Sequence, residues 1–480
     1  MRRVLTLAAL TVSLTLSTAN AQKPTLRIAS ISLEQAELYK TLETAFNKKY
    51  PQWTIKFEVQ SEDALRKTLP LAFQSGDAPD LILYTFDTSL EQMKENGWLA
   101  PISGGKPIPA SFKSRWPKNT FVNGTTMLGN QIYGVPVFDN TIFGPGYLFA
   151  NNAVLRDAGI NPATQMPRTW KQLLSVCEKV KQRGKSCFSA SFTNPTQFQR
   201  FWIPFTATAG TQGDFNYTTG RFAYADPARL RAWDLLKTMY DQKYFIPGVE
   251  TTTKEASRQA FALGQAAFYP DGSWIPSVLR SMGFAKLDYS VAPIPTPDGE
   301  PRGKLTKATL PVDLQVTSQV RNKDAAWAFV QWLTDPNGAF AKGYVGGGYG
   351  FVSFANNSKL IDPNDKIISR IVSIAKNNYR VATPAPQLAC SDMGKSTAYR
   401  DALADTSLPN EMSSVVEALI KGQDWKPVAQ TLAEGRQKLL TANLAAERKK
   451  GLNVSLDYFK YASWKPTTNF NFAQYPLCKP

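Results

Sequence analysis

The chain has no histidine in 480 residues. That removes every Ser-His-Asp or Cys-His nucleophile and every metal site built on imidazole. Carboxylate-pair and Ser-Lys chemistry survive the exclusion. Past the N-terminus, no stretch approaches the ~20 consecutive apolar residues of a membrane helix. There is no internal repeat and no low-complexity linker, which disfavours a scaffold or adhesion protein. The basic residues are scattered, with Lys48-Lys49 and Arg448-Lys449-Lys450 the densest runs. A nucleic-acid groove needs a focused basic patch interleaved with aromatics, so no nucleic-acid partner is expected. The glycine run Gly346–Gly350 lacks the strand-GxxxxGK[ST]-helix context of a phosphate loop. No metal and no cofactor are expected.

What is present suits an exported globular protein. The length exceeds one core and fits two domains. Hydrophobic residues make up 43% and charged ones 19%, with a formal net charge of +17 that biases the surface towards acidic partners. Met1–Ala21 reads as a signal peptide: Arg2-Arg3, an apolar run Val4–Leu16, then Ala19-Asn20-Ala21 as the cleavage site. The mature chain should begin at Gln22, free in a periplasm, since no Cys near the cut could carry a lipid. The four cysteines, Cys177, Cys187, Cys390 and Cys478, allow three pairings in an exported chain. Cys177–Cys187 is the local choice, closing a loop of about 11 residues worth ~3 kcal/mol. Cys390–Cys478 would then tie down the C-terminus.

The first hundred residues alternate strand and helix. Leu26–Ser30, Trp53–Gln60 and Leu81–Tyr84 read as strands, and Glu34–Tyr50 and Ala64–Ser75 as helices, the second with a kink or break at Pro70. This pattern predicts a mainly parallel sheet covered by helices. Further on, Thr169 should cap a helix from Trp170 to Gln182, and Asp226-Pro227 should open one to Gln242. Gly210–Arg221 reads as a hairpin. Ala325, Ala326, Phe329 and Val330 mark the inner face of a helix over Lys323–Leu333.

The stretch Ala260–Pro295 is the most informative. A helix ends at Gly264, Ala266–Tyr269 is a short apolar strand, Pro270–Ser273 turns, and Trp274 follows. Ligands in open α/β sheets sit outside the carboxyl ends of strands. An indole there, beside the Asp271 carboxylate, would form one wall of a ligand site. This helix-Gly-strand-turn-Trp order resembles the family 1 extracellular solute-binding proteins, the receptors of ABC sugar importers. FQSGDAPDLILY (Phe73–Tyr84), NGWLAPI (Asn96–Ile102), QIYGVPV (Gln131–Val137), the Asn151 to Trp170 pattern and Asn322–Thr334 are similar to further motifs of that family, in the same order.

The resemblance implies an α/β, two-lobed periplasmic-binding-protein fold of type II, with a ligand cleft between lobes joined by crossing hinge strands. One lobe would comprise residues 22–138 and 294–343, the other 139–293 and 344–480. Leu287–Pro295 would carry the chain back to the first lobe. Tyr84 and Asp87 match an aromatic and an Asp three residues on in maltose-binding members, although the basic residue that follows there is Thr88 here. Phe138 and Asp139 fall where the chain leaves the first lobe, with Asp139 as a hydroxyl acceptor. Trp202 would be a second stacking platform, and Gly348 and Tyr349 a loop close to the ligand. Such residues suit a pyranose: aromatics cover its C–H faces, and carboxylates and amides bond its hydroxyls. A phosphate or carboxylate ligand would call for Arg or Lys in these loops, and none is there. The implied function is capture of a sugar or oligosaccharide by hinge closure and delivery to an ABC permease, as a monomer and without catalysis. The alternatives are a receptor for a polyol, polyamine or glycerophosphodiester, or an exported glycosidase pairing Asp87 with Asp139 or Asp271.

Overall fold

A computed structural model describes residues 23–470, apart from 32, 85–87, 89, 119, 122, 140–141, 143, 194, 301, 307–311 and 381–383. The expected signal peptide, Asp87 and Cys478 therefore lie outside the described residues.

The fold has two sheets with separate cores. In the first, Thr54–Val59, Thr25–Ser30 and Leu81–Leu83 run parallel in that spatial order. Helix Ala36–Lys49 covers one face through Leu38, Leu42 and Phe46, and helix Glu62–Ser75 covers the other through Leu65, Leu69 and Phe73. The predicted break at Pro70 is absent. Leu65, Leu69 and Phe73 are anchored over Ala29 and Ile82, and the helix runs through the proline to Gly76, which ends it at φ +76°. The sheet is more mixed than predicted. Leu314–Thr317 inserts between Leu81–Leu83 and Leu99–Ala100, antiparallel to both.

The second sheet runs Tyr289–Pro293, Pro145–Asn151, Ala266–Gly272, Ser186–Phe188. Its central strand Pro145–Asn151 is buried on both faces, so it reads as an unbroken apolar run. Leu148 and Ala150 face the large core shared with the C-terminal helices, and Tyr147 and Phe149 face the opposite core. Two details differ from the sequence reading. The Ala266 strand continues through Pro270 to Gly272, because its pairing with Ser186–Phe188 ends at Phe268 and leaves the proline beside one neighbour only. Tyr289–Pro293 stays in the second sheet, so the return crossing comes after it. Thr169 forms a full capping box with Gln172, and Phe215–Asn216 pairs with Arg221–Phe222 as the predicted hairpin. Helix Lys323–Leu333 buries Ala325, Ala326, Phe329 and Val330 as predicted. Cys177 and Cys187 are bonded, with their Cα atoms 4.8 Å apart.

The chain passes between the sheets three times, and the crossings meet. The Asp313 carboxylate accepts from the amides of Val137 and Phe138, at 2.8 and 2.9 Å, and Phe138 bridges Val352. The third crossing lies later than the expected 343/344 boundary. Tyr344, Val352 and Phe354 pack in the first core, and Phe351 and Ile368 in the second sheet's core. The C-terminal segment also reaches back to the first sheet's side. Helix Ser391–Lys395 packs against helix Leu90–Glu95, and Arg400 donates to Gln92. At this contact Glu91 abuts Gly394, and its Oε2 is buried with no hydrogen-bond partner among the described residues.

Candidate functional site

The carboxyl ends of both sheets converge. Leu33–Gln35 follows the Thr25–Ser30 strand, and it packs against helix Ile275–Ser281, which begins just past Trp274. Tyr84 ends the adjacent strand on the first side. Trp274 ends the Ala266–Gly272 strand on the second. Both aromatics named from sequence follow the carboxyl ends of their strands.

Trp274 is half-buried. Its six-membered ring lies so close to Gly272 that a Cβ there would come within 2.3 Å of it. That contact gives Gly272 a reason to be glycine. The Arg200 guanidinium lies 5.0 Å from the centroid of the Trp274 indole. Tyr84 is buried, and Arg66 lies 5.3 Å from its ring centroid. Asp271, expected beside the indole at the ligand wall, is wholly buried. Its carboxylate holds Arg200 at 3.4 Å and Arg258 at 3.3 Å and accepts the Gly272 amide at 2.8 Å.

Trp202 is a second correction. It is fully buried in the large core, edge-on to Trp425, and its indole N–H donates to Glu411 at 2.9 Å. Burial holds the Glu411 carboxyl up at about 7, against the pull of the neighbouring Arg229. A stacking platform must be reachable, and this indole is not. The signal was in the sequence: Phe198, Phe201, Trp202 and Phe205 form the inward stripe of helix Pro195–Thr208, and Arg200 sits about half a turn away from it.

The remaining expected residues form a hinge group. Phe138 lies 5.3 Å from Tyr344 between ring centroids, and Tyr344 lies 6.2 Å from Tyr349. The Asp139 amide donates to the Phe351 carbonyl at 2.8 Å, and its carboxylate accepts from Asn357 at 3.3 Å. Asp139 also borders a cavity of about 450 Å³ with Ile142, Asn356 and Lys376. Gly348 sits at φ +65°, where a Cβ would strike the Arg280 guanidinium, and Arg280 donates to the Gly347 carbonyl. The glycine run thus ties the hinge to helix Ile275–Ser281, and Gly348 itself is buried.

Sequence reasoning missed the arginines. Arg66, Arg200, Arg258 and Arg280 come from four flanking helices, whereas the search for cations was confined to loops. Among the described residues no group of three or more His, Cys, Asp or Glu is placed to hold a metal.

Two sheets meeting at their carboxyl edges, with three crossings between them, define a two-lobed binding protein. The chain belongs to the bacterial extracellular solute-binding protein family, whose signature matches residues 30–340. A putative binding protein of Brucella abortus is 23% identical over 334 residues, 68% of this chain and 75% of that one. Among solved structures, the GacH receptor of Streptomyces glaucescens, studied unliganded and with acarbose, superposes with a TM-score of 0.66 at 16% identity, covering 87% of this chain and 99% of that one. Maltose-bound MalE3 of Thermotoga maritima gives 0.65 at 17% identity, covering 86% and 99%. At these identities the structures speak for the fold.

Proposed function

We propose that this protein is an exported receptor that captures a carbohydrate between its lobes and hands it to an ABC import permease. The observation that carries the reading is the half-buried Trp274, with Arg200 beside it, just past the carboxyl end of its strand, where Leu33–Gln35 of the other sheet packs against helix Ile275–Ser281. Membership of the solute-binding family and the maltose and acarbose complexes of structures with the same fold support it. The three crossings act as the hinge, and ligand draws the lobes together. Residues 22–138 with 294–343, extended by packing to about 354, form one lobe, and the remainder forms the other. The receptor works as a monomer, and residues 1–21 are removed on export.

The rival readings lose ground on specific contacts. Asp271 is sealed and ion-paired, which speaks against it as the glycosidase partner of Asp87. Guanidiniums over both aromatic walls repel a polyamine. A thermal-shift screen of the mature protein against a sugar library tests the proposal, since a ligand that binds only the native state raises its melting temperature. Uniformly flat melting temperatures across mono- and oligosaccharides would refute it.

A further inference from the structure

A neutral pyranose stacks best on a bare aromatic face, and neither candidate wall here offers one. Arg66 covers Tyr84 from one lobe, and Arg200 lies over Trp274 in the other. Among the described residues around Trp274, guanidiniums outnumber the buried carboxylates. One buried carboxylate, Asp271, serves two guanidiniums, Arg200 and Arg258. The nearby exposed Glu255 pairs with Lys254 and also faces Arg258, so Arg200 is the guanidinium left to share Asp271. Asp271 also spends part of its accepting capacity on the Gly272 amide. Half-sequestered positive charge beside a ligand wall is costly unless an anion arrives to meet it. Arg200 retains 22% of its side-chain exposure, enough for its fork to reach a solute. The net charge of +17 assists the encounter.

We infer that the ligand is an anionic carbohydrate, a sugar bearing a carboxylate or phosphate, and that Arg200 selects for the anion beside Trp274. This inference rests on the sugar-receptor reading and narrows it. Asp271 holds the Arg200 guanidinium in place, and Trp274 supplies its apolar underlay.

The test is calorimetric titration of the mature protein with three sets of probes. Galacturonate and digalacturonate carry a carboxylate, glucose 6-phosphate carries a phosphate, and galactose and maltose are neutral. An anionic probe should bind about ten- to a hundredfold tighter than the neutral ones, the ratio for one charge-assisted hydrogen bond. Raising the salt should narrow that gap. Arg200→Met should abolish it, and Arg200→Lys should keep part of it, with melting curves confirming that both variants fold. Binding of uronates alone, or of the sugar phosphate alone, identifies the source of the anion. A neutral sugar that binds as tightly as the anionic probes overturns the inference and leaves the receptor reading standing. So does an anion preference that survives in Arg200→Met. Failure of all three sets while other sugars in the library bind overturns the inference alone, and failure of every sugar overturns both.

Discussion

Replacing Glu91 with glutamine should make the protein more stable at pH 8 and leave it nearly unchanged near pH 4. Glu91 lies where helix Leu90–Glu95 meets helix Ser391–Lys395, against Gly394, with one carboxylate oxygen buried and unbonded among the described residues. Burial pushes its pKa up to about 7; Glu95 on the same helix adds to the rise, and Lys395 opposes it. The sign follows from proton counting. Between the ordinary carboxyl value of 4.5 and about 7, the folded protein keeps a proton that the unfolded chain has lost, so stability falls as pH rises. Some 2.5 pH units at ~1.4 kcal/mol each give ~3.5 kcal/mol, and solvent screening trims this towards ~2 kcal/mol. Glutamine resembles the protonated carboxyl and cannot ionise, so it escapes the whole penalty. Urea unfolding of both proteins at pH 4.5, 6, 7 and 8 reads the difference directly. Other shifted groups, Glu411 among them, cancel between the two curves. Parallel curves, or a less stable Glu91→Gln at pH 8, would refute the assignment.

Further outcomes follow from the two tryptophans and the cysteines. Trp274→Ala should weaken ligand binding by ~2–4 kcal/mol with a modest change in melting temperature, and titration beside a melting curve shows it. Trp202→Ala should do the reverse, costing ~3–5 kcal/mol of folding stability; a normal melting curve would return Trp202 to the cleft. Replacing Cys177 and Cys187 together by alanine should cost ~3 kcal/mol, measured by denaturant midpoint. Non-reducing peptide mapping should recover Cys177 with Cys187, and Cys390 with Cys478; any cross pairing would defeat that assignment.

Much of the fold was legible because local signals and tertiary roles agreed. Leu81–Leu83 read as a strand from its apolar run, and Thr169 read as a cap because its hydroxyl can accept an orphan amide. Other features had no local mark. Nothing in Leu314–Thr317 says that it will insert beside a strand made more than two hundred residues earlier, or in which direction. Pro70 was read as a kink or break and Pro270 as the start of a turn; the helix runs on through the first and the strand through the second. The site was half legible. Tyr84 and Trp274 could be named as candidates because they follow strand ends. Arg66 and Arg200 could not, because a helix face points wherever its packing turns it, and only the core shows which way Phe198 and Phe205 look.

The order in which the two sheets are completed has a consequence for biosynthesis. The first sheet lacks a central strand until Leu314 is made. About 230 residues separate it from Leu83, roughly 10–50 s of synthesis at ~5–20 residues per second. The second sheet waits longer, because its large core is closed by Trp425, Leu440 and Phe459. Neither half can collapse onto a finished core while the ribosome is still working through the other. Long-range closure of this kind also slows folding once synthesis ends. A nascent chain so arranged stays pliable until nearly its last helix, which is the condition for being threaded through a narrow secretion channel.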